Sequence, residues 1–125
     1  MPTKNKKKGV NMGKLTTHIL DTSLGRPAHG VKINLYRREG LDSVLINSAQ
    51  TNSDGRCDEP LLSGGEFSAA CYELEFAVDE YFNSNNVECP FLKDVVIRFY
   101  ISEENESYHV PLLISPFSYS TYRGS

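Results

Sequence analysis

Apolar and polar residues alternate with a period of two along most of the chain, the spacing of strands with one buried face. From Lys14 to Leu20, Leu15, Thr17 and Ile19 fall on one side and Thr16, His18 and Leu20 on the other. Val31 to Arg37 repeats the pattern with Val31, Ile33 and Leu35 inward, and Ser43 to Thr51 reads as a third strand. Ala70 to Val78 sets Tyr72, Leu74, Phe76 and Val78 against Cys71, Glu73 and Glu75. Phe91 to Ile101 lines up Val95, Ile97, Phe99 and Ile101, and Tyr108 to Ser115 lines up Val110, Leu112 and Ile114. Asp79 to Asn83 is predicted to form a single helical turn.

Turn chemistry separates these segments. Asp21 to Pro27 ends the first, with the proline forcing an extended residue before it. Arg38-Glu39-Gly40 is a turn, and Leu61 to Glu66, Asn83 to Asn86 and Ser102 to Ser107 are loops. In Asn52-Ser53-Asp54-Gly55 the glycine supplies the positive φ of a tight turn and presents Arg56 directly after it. The prediction is about seven or eight short strands with almost no helix, an all-β antiparallel sandwich whose two sheets bury alternate residues against each other.

Composition narrows the class. The chain has 125 residues, of which 39% are apolar, enough for one domain with a real core. No apolar run is long enough to span a membrane, and no signal peptide is recognisable. Residues 1–12 read as a disordered basic leader and residues 13–125 as the folded domain. The net charge is −3, and setting aside Lys4, Lys6, Lys7 and Lys8 leaves −7 on the remainder. So acidic a domain argues against a nucleic-acid groove. Cys57, Cys71 and Cys89 form no C-x-x-C and no zinc pattern, which fits reduced thiols in a cytoplasmic protein.

Candidate chemistry is sparse. His18 and His109 each oppose the apolar row of their own strand, so both belong on outward faces. If the two strands share a sheet, the imidazoles converge and can divide general-base and general-acid roles. Arg56 or Arg123 could supply a charge that keeps one imidazole neutral and could also hold an anionic, planar substrate by a bidentate contact. The ending Tyr122-Arg123-Gly124-Ser125 follows an apolar strand and is rich in aromatic and hydroxyl groups. It is either built into a binding site beside His109 or simply a docked tail. Residue types alone also allow all of these groups to be ordinary surface. Two histidines without a third ligand are a weak zinc signal, so no metal is expected. His29 sits in a turn as a polar surface residue. No G-x-S-x-G, P-loop or G-x-G-x-x-G occurs, which removes the common hydrolase and nucleotide signatures.

Five stretches carry a resemblance: Leu15 to Thr22, Gly25 to Ala28, Thr51 to Arg56, Tyr108 to Leu113, and Ser118 to Ser125. In this order they resemble the 5-hydroxyisourate hydrolases, the transthyretin-related enzymes of urate breakdown. The resemblance implies a transthyretin-like sandwich of two four-stranded sheets with one short helix. It implies a homotetramer, a dimer of dimers with sites in the channel between dimers. His18, Arg56, His109 and Ser125 would be catalytic, and Tyr122, Arg123 and Gly124 substrate-binding. The reaction implied is hydrolysis of 5-hydroxyisourate to 2-oxo-4-hydroxy-4-carboxy-5-ureidoimidazoline, with no metal, organic cofactor, nucleic acid or membrane. Which histidine acts as base stays open. The rival readings are a non-catalytic binding module using the same channel, and a structural sandwich with no small-molecule site.

Overall fold

A computed structural model of the protein describes residues 13–124. The expected basic leader, residues 1–12, and Ser125 lie outside the described residues. Nine strands are present: β1 (Lys14–Asp21), β2 (Arg26–Pro27), β3 (Lys32–Glu39), β4 (Asp42–Gln50), β5 (Leu62–Ser63), β6 (Ala70–Ala77), β7 (Asp94–Ile101), β8 (Tyr108–Ile114) and β9 (Tyr119–Thr121). A 3-10 turn spans Gly64–Glu66 and one helix, α1, spans Val78–Ser84. No helix among the described residues is long and apolar enough to cross a membrane.

The strands form two sheets, β2-β1-β8-β9 with β5 also on β1, and β4-β3-β6-β7. Alternation decides what lies between them. Leu15 and Ile19 of β1 and Leu112 and Ile114 of β8 face Ile33, Leu35, Leu74 and Phe76 of the second sheet, and all are buried. Polar groups caught on these inner faces are hydrogen-bonded, as burial requires. Thr17 Oγ1 donates to the Val110 carbonyl at 2.7 Å. Thr51 Oγ1 donates to the Ala28 carbonyl while accepting from the Val31 N–H.

Helix α1 forms where the strand period of two gives way to an i, i+3, i+4 pattern. Val78, Tyr81 and Phe82 face the core, and Asp79 and Glu80 sit favourably in the first turn. Just past the helix, Asn86 turns the chain with a φ of 61°, which asparagine tolerates better than most residues.

Asp21 ties β1 to this helix. It is 1% exposed, and both of its carboxylate oxygens accept hydrogen bonds. Oδ1 accepts from the Ser23 N–H, the Ser23 hydroxyl and the Leu24 N–H, closing the turn after β1. Oδ2 accepts from the Tyr81 hydroxyl at 2.7 Å. Burial, reinforced by the bond to Asp21 and its charge, pushes the Tyr81 phenol far above its ordinary value, so it stays a neutral donor.

The all-β sandwich with one short helix agrees with the sequence reading, and three details differ. First, β1 and β8 pair parallel while the other ladders are antiparallel. The two strands lie far apart in sequence, so no hairpin dictates their relative direction. Second, the first sheet contains five strands rather than four. Two of the five are two-residue pieces, β2 against Leu20–Asp21 and β5 against Lys14–Leu15, which share one flank of β1. Third, the stretch after β8 holds a further short strand, β9, which pairs with Leu112–Ile114. Pieces of two or three residues carry too little periodicity to be read from sequence.

Tyr81→Phe should lower unfolding free energy by roughly 1.5–3 kcal/mol in denaturant titrations, because it strands a buried carboxylate oxygen. The fold should persist, with unchanged far-ultraviolet circular dichroism.

Candidate active site

The parallel register of β1 and β8 builds the site. Thr16 lies opposite His109 and His18 opposite Pro111. Both imidazoles therefore occupy the outer face of the same sheet, two positions apart along the ladder. Each is partly buried. Sequence periodicity anticipated the face; the shared sheet is a property of the fold.

Arg56 is delivered by the turn before it. Gly55 takes φ 76°, and its carbonyl accepts from the Ile19 N–H at 2.8 Å. Asn52 Oδ1 accepts from the N–H groups of Asp54 and Arg56, which keeps the turn closed. Arg56 then bridges to His18 as an antiparallel partner. A Cβ on Gly55 would run into the Ile19 carbonyl oxygen and lie 3.1 Å from Pro27 Cβ. Both the backbone angle and this close approach demand glycine.

The terminal segment reaches the other side of His109. Beyond Thr121 the β9 ladder meets Pro111, which has no N–H to offer. Thr121 Oγ1 donates instead to the Pro111 carbonyl, and pairing resumes where the Gly124 N–H donates to the His109 carbonyl at 2.7 Å. A Cβ at Gly124 would sit 2.9 Å from His109 Cδ2, so the absence of a side chain lets the segment lie against the imidazole. His109, Tyr122, Arg123 and Gly124 line an open cleft of about 710 Å³.

Arg123 is anchored rather than free. Its guanidinium stacks over the Tyr108 ring at 4.1 Å and donates to Glu106 and to the Ser107 carbonyl. Of the two guanidiniums, Arg56 is the one whose charge lowers the basicity of His109. Burial comes first, then the charges of Arg56 and His18, in holding His109 below the ordinary imidazole value. A neutral imidazole beside a guanidinium is the arrangement a general base needs.

Thr16 escaped the sequence reading. Its Oγ1 lies 2.8 Å from His109 Nδ1. Its outward position on β1 was visible, but its partner depends on the β1–β8 register. Among the described residues no group of three or more His, Cys, Asp or Glu side chains could hold a metal ion. The three cysteines are free thiols, and burial raises those of Cys57 and Cys89.

Residues 15–124 match the HIUase/Transthyretin family. The 5-hydroxyisourate hydrolase 2 of Rhizobium meliloti (strain 1021) is 56% identical over 116 residues, covering 90% of this chain and 97% of that protein. The chain belongs to the HIUase/Transthyretin family. Among solved structures, Klebsiella pneumoniae 5-hydroxyisourate hydrolase matches with TM-score 0.78 and 37% identity, covering 91% of this chain and 100% of that one. (S)-Allantoin synthase matches with TM-score 0.85 and 44% identity over 90% of this chain, which spans 44% of that protein's length. Within the HIUase/Transthyretin sandwich, then, the two histidines and Arg56 sit on the outer face of the sheet that carries β1 and β8.

Gly55→Ala should destabilise the fold by roughly 1–3 kcal/mol, since alanine is strained at positive φ and has no room here. It should also lower catalytic turnover by displacing Arg56, a loss that Arg56→Gln would reproduce without the thermal destabilisation. Thermal melts run beside activity assays separate the two effects. The pH dependence has a definite sign. With its basicity depressed, His109 stays neutral to lower pH than an ordinary imidazole, so the acid limb of a pH–kcat/KM profile should lie below the usual histidine value. Arg56→Gln removes one of the depressing charges and should move that limb upward.

Proposed function

We propose that the protein hydrolyses 5-hydroxyisourate to 2-oxo-4-hydroxy-4-carboxy-5-ureidoimidazoline, a step of urate breakdown, with His18, Arg56 and His109 as its catalytic groups. The observation that carries this reading is the meeting of two imidazoles and a guanidinium on one outer sheet face, where burial and then neighbouring charge lower the basicity of His109. The relatives and the Klebsiella structure named 5-hydroxyisourate hydrolase support it at 41–56% and 37% identity.

The chemistry follows from these roles. Water attacks the ring acyl carbon and gives a proton to neutral His109. Arg56 holds the oxygen-rich ring and stabilises the charge that grows on the carbonyl oxygen. The carbon–nitrogen bond then breaks, and the leaving nitrogen takes a proton, with His18 as donor. Tyr122, Arg123 and Gly124 form the wall beside His109 that orients the ring, Arg123 acting from its perch on Tyr108. Ser125 lies outside the described residues, and its proposed catalytic role rests on the family resemblance alone.

The same reading includes assembly as a homotetramer, a dimer of dimers with the cleft closed between dimers. Both edge strands at one side of the sandwich, β7 and β9, lack a further partner strand among the described residues. Aromatic side chains stand exposed along them, including Tyr100, Tyr119 and Tyr122. An apolar groove of about 230 Å³ runs between these edges. A cytoplasmic location suits three free thiols.

A non-catalytic binding module is the alternative, and the polar lining of the cleft disfavours it: imidazole and guanidinium suit a polar heterocycle. The test is ultraviolet decay of 5-hydroxyisourate generated in place by urate oxidase. The intact chain should accelerate decay strongly, while His109→Asn and a chain ending at Thr121 should each lose most of that acceleration. A folded intact chain that leaves the decay rate unchanged would overturn the hydrolase reading in favour of the binding module.

A further inference from the structure

The first strand carries threonines at Thr16 and Thr17, and Thr22 follows it. Thr17 and Thr22 spend their hydroxyls on backbone carbonyls of β8, Val110 and Ile114. These are structural stitches between the strands. Thr16 differs, because its hydroxyl meets a side chain, His109 Nδ1, at 2.8 Å. It can do so because the parallel register sets Thr16 and His109 directly opposite on the outer face.

A neutral imidazole has one N–H and one lone pair, and a base can act only through the lone pair. Among the described residues His109 has one side-chain partner for its ring, and it lies on the Nδ1 side. The ring also lines the cleft. Nε2 is thus the nitrogen left for the reaction. We propose that Thr16 is a positioning residue for the hydrolysis: its Oγ1 accepts from His109 Nδ1–H and so commits Nε2 to the proton of the attacking water. This inference rests on the hydrolase reading and names a further residue of that same site.

The direction of the hydrogen bond follows from the proton balance. When Nε2 takes a proton from water, His109 becomes an imidazolium with two donors and no acceptor. A hydroxyl that already accepts from Nδ1–H remains correctly oriented before and after the transfer. A hydroxyl donating to Nδ1 would have to rotate as the ring gains its charge, and would leave Nε2 protonated and unable to act as base. Preorganised partners that need no reorganisation during the step are the favourable arrangement.

The test uses Thr16→Val and Thr16→Ser in the full chain. Valine keeps the branched shape suited to a strand and removes only the hydroxyl; serine keeps the hydroxyl and removes the methyl. Thr16→Val should lower kcat by about tenfold with KM within about twofold, and Thr16→Ser should keep kcat within about threefold of the parent. Nitrogen-15 NMR of the His109 ring should find neutral imidazole protonated on Nδ1 in the parent and in Thr16→Ser, and a mixture of tautomers in Thr16→Val. The proposal is overturned by a parent ring protonated on Nε2, by an unchanged kcat in Thr16→Val, or by serine failing as badly as valine, which would assign the effect to methyl packing. A parent chain with no turnover would overturn the hydrolase reading and the catalytic half of this proposal together. The tautomer measurement, which needs no turnover, would then decide the Thr16–His109 pairing separately.

Discussion

The parallel ladder between β1 and β8 is the constraint on which the rest of the molecule depends. It joins residues more than ninety positions apart in a single register, Leu15 opposite Tyr108 through Asp21 opposite Ile114. One consequence is internal: Leu15, Ile19, Leu112 and Ile114 form one wall of the core. The other is external, because the same alternation that buries these residues turns Thr16, His18 and His109 outward together. A slip by one residue would bury the imidazoles and expose the aliphatic row. Core packing and the geometry of the candidate site are therefore enforced by the same register.

Around that ladder, the remaining chain supplies supports at its flanks. On one side the Asn52–Gly55 turn packs against Ile19 and hands Arg56 to His18. On the other, the terminal segment pairs with His109 through Gly124. At the end of β1, the Asp21 carboxylate closes a turn and grips Tyr81 of α1, linking the sheet to the helix. Glu73 plays a comparable part on the outer face of the second sheet, where Ser43 and then Arg98 and Arg38 hold its carboxyl below the ordinary range. In each case a charged or polar group that burial would penalise is surrounded by donors, so it specifies one geometry.

The electrostatics of the site follow from bringing basic side chains together on one face. His18, Arg56 and His109 are drawn together by backbone pairing, and nearby carboxylates engage other partners, Asp21 with Tyr81 and Glu106 with Arg123. Positive neighbours and partial burial favour the uncharged form of His109. They also provide a ready counter-charge for an anionic intermediate. Arg123 stands apart from this group, its guanidinium stacked on Tyr108 and bonded to Glu106.

Much of this was legible in the sequence. Period-two alternation located β1, β3, β4, β6, β7 and β8 to within a few residues, because burial on one face selects side chains at every second position. The same alternation turned His18 and His109 outward, and Asn52–Gly55 announced the turn that presents Arg56. Local pattern could not reveal that β1 and β8 run parallel, since no short connection joins them. Nor could it reveal that two-residue strands flank β1, or that Asp21, which reads as a turn residue, is a buried anchor for Tyr81. Thr16 is the clearest case: its outward face was determined by its own strand, but its partner is ninety-three residues away. The chain by itself determined which side chains face out. Only the tertiary structure decided which of them meet, because that depends on register between distant strands, a long-range choice that no local spacing encodes.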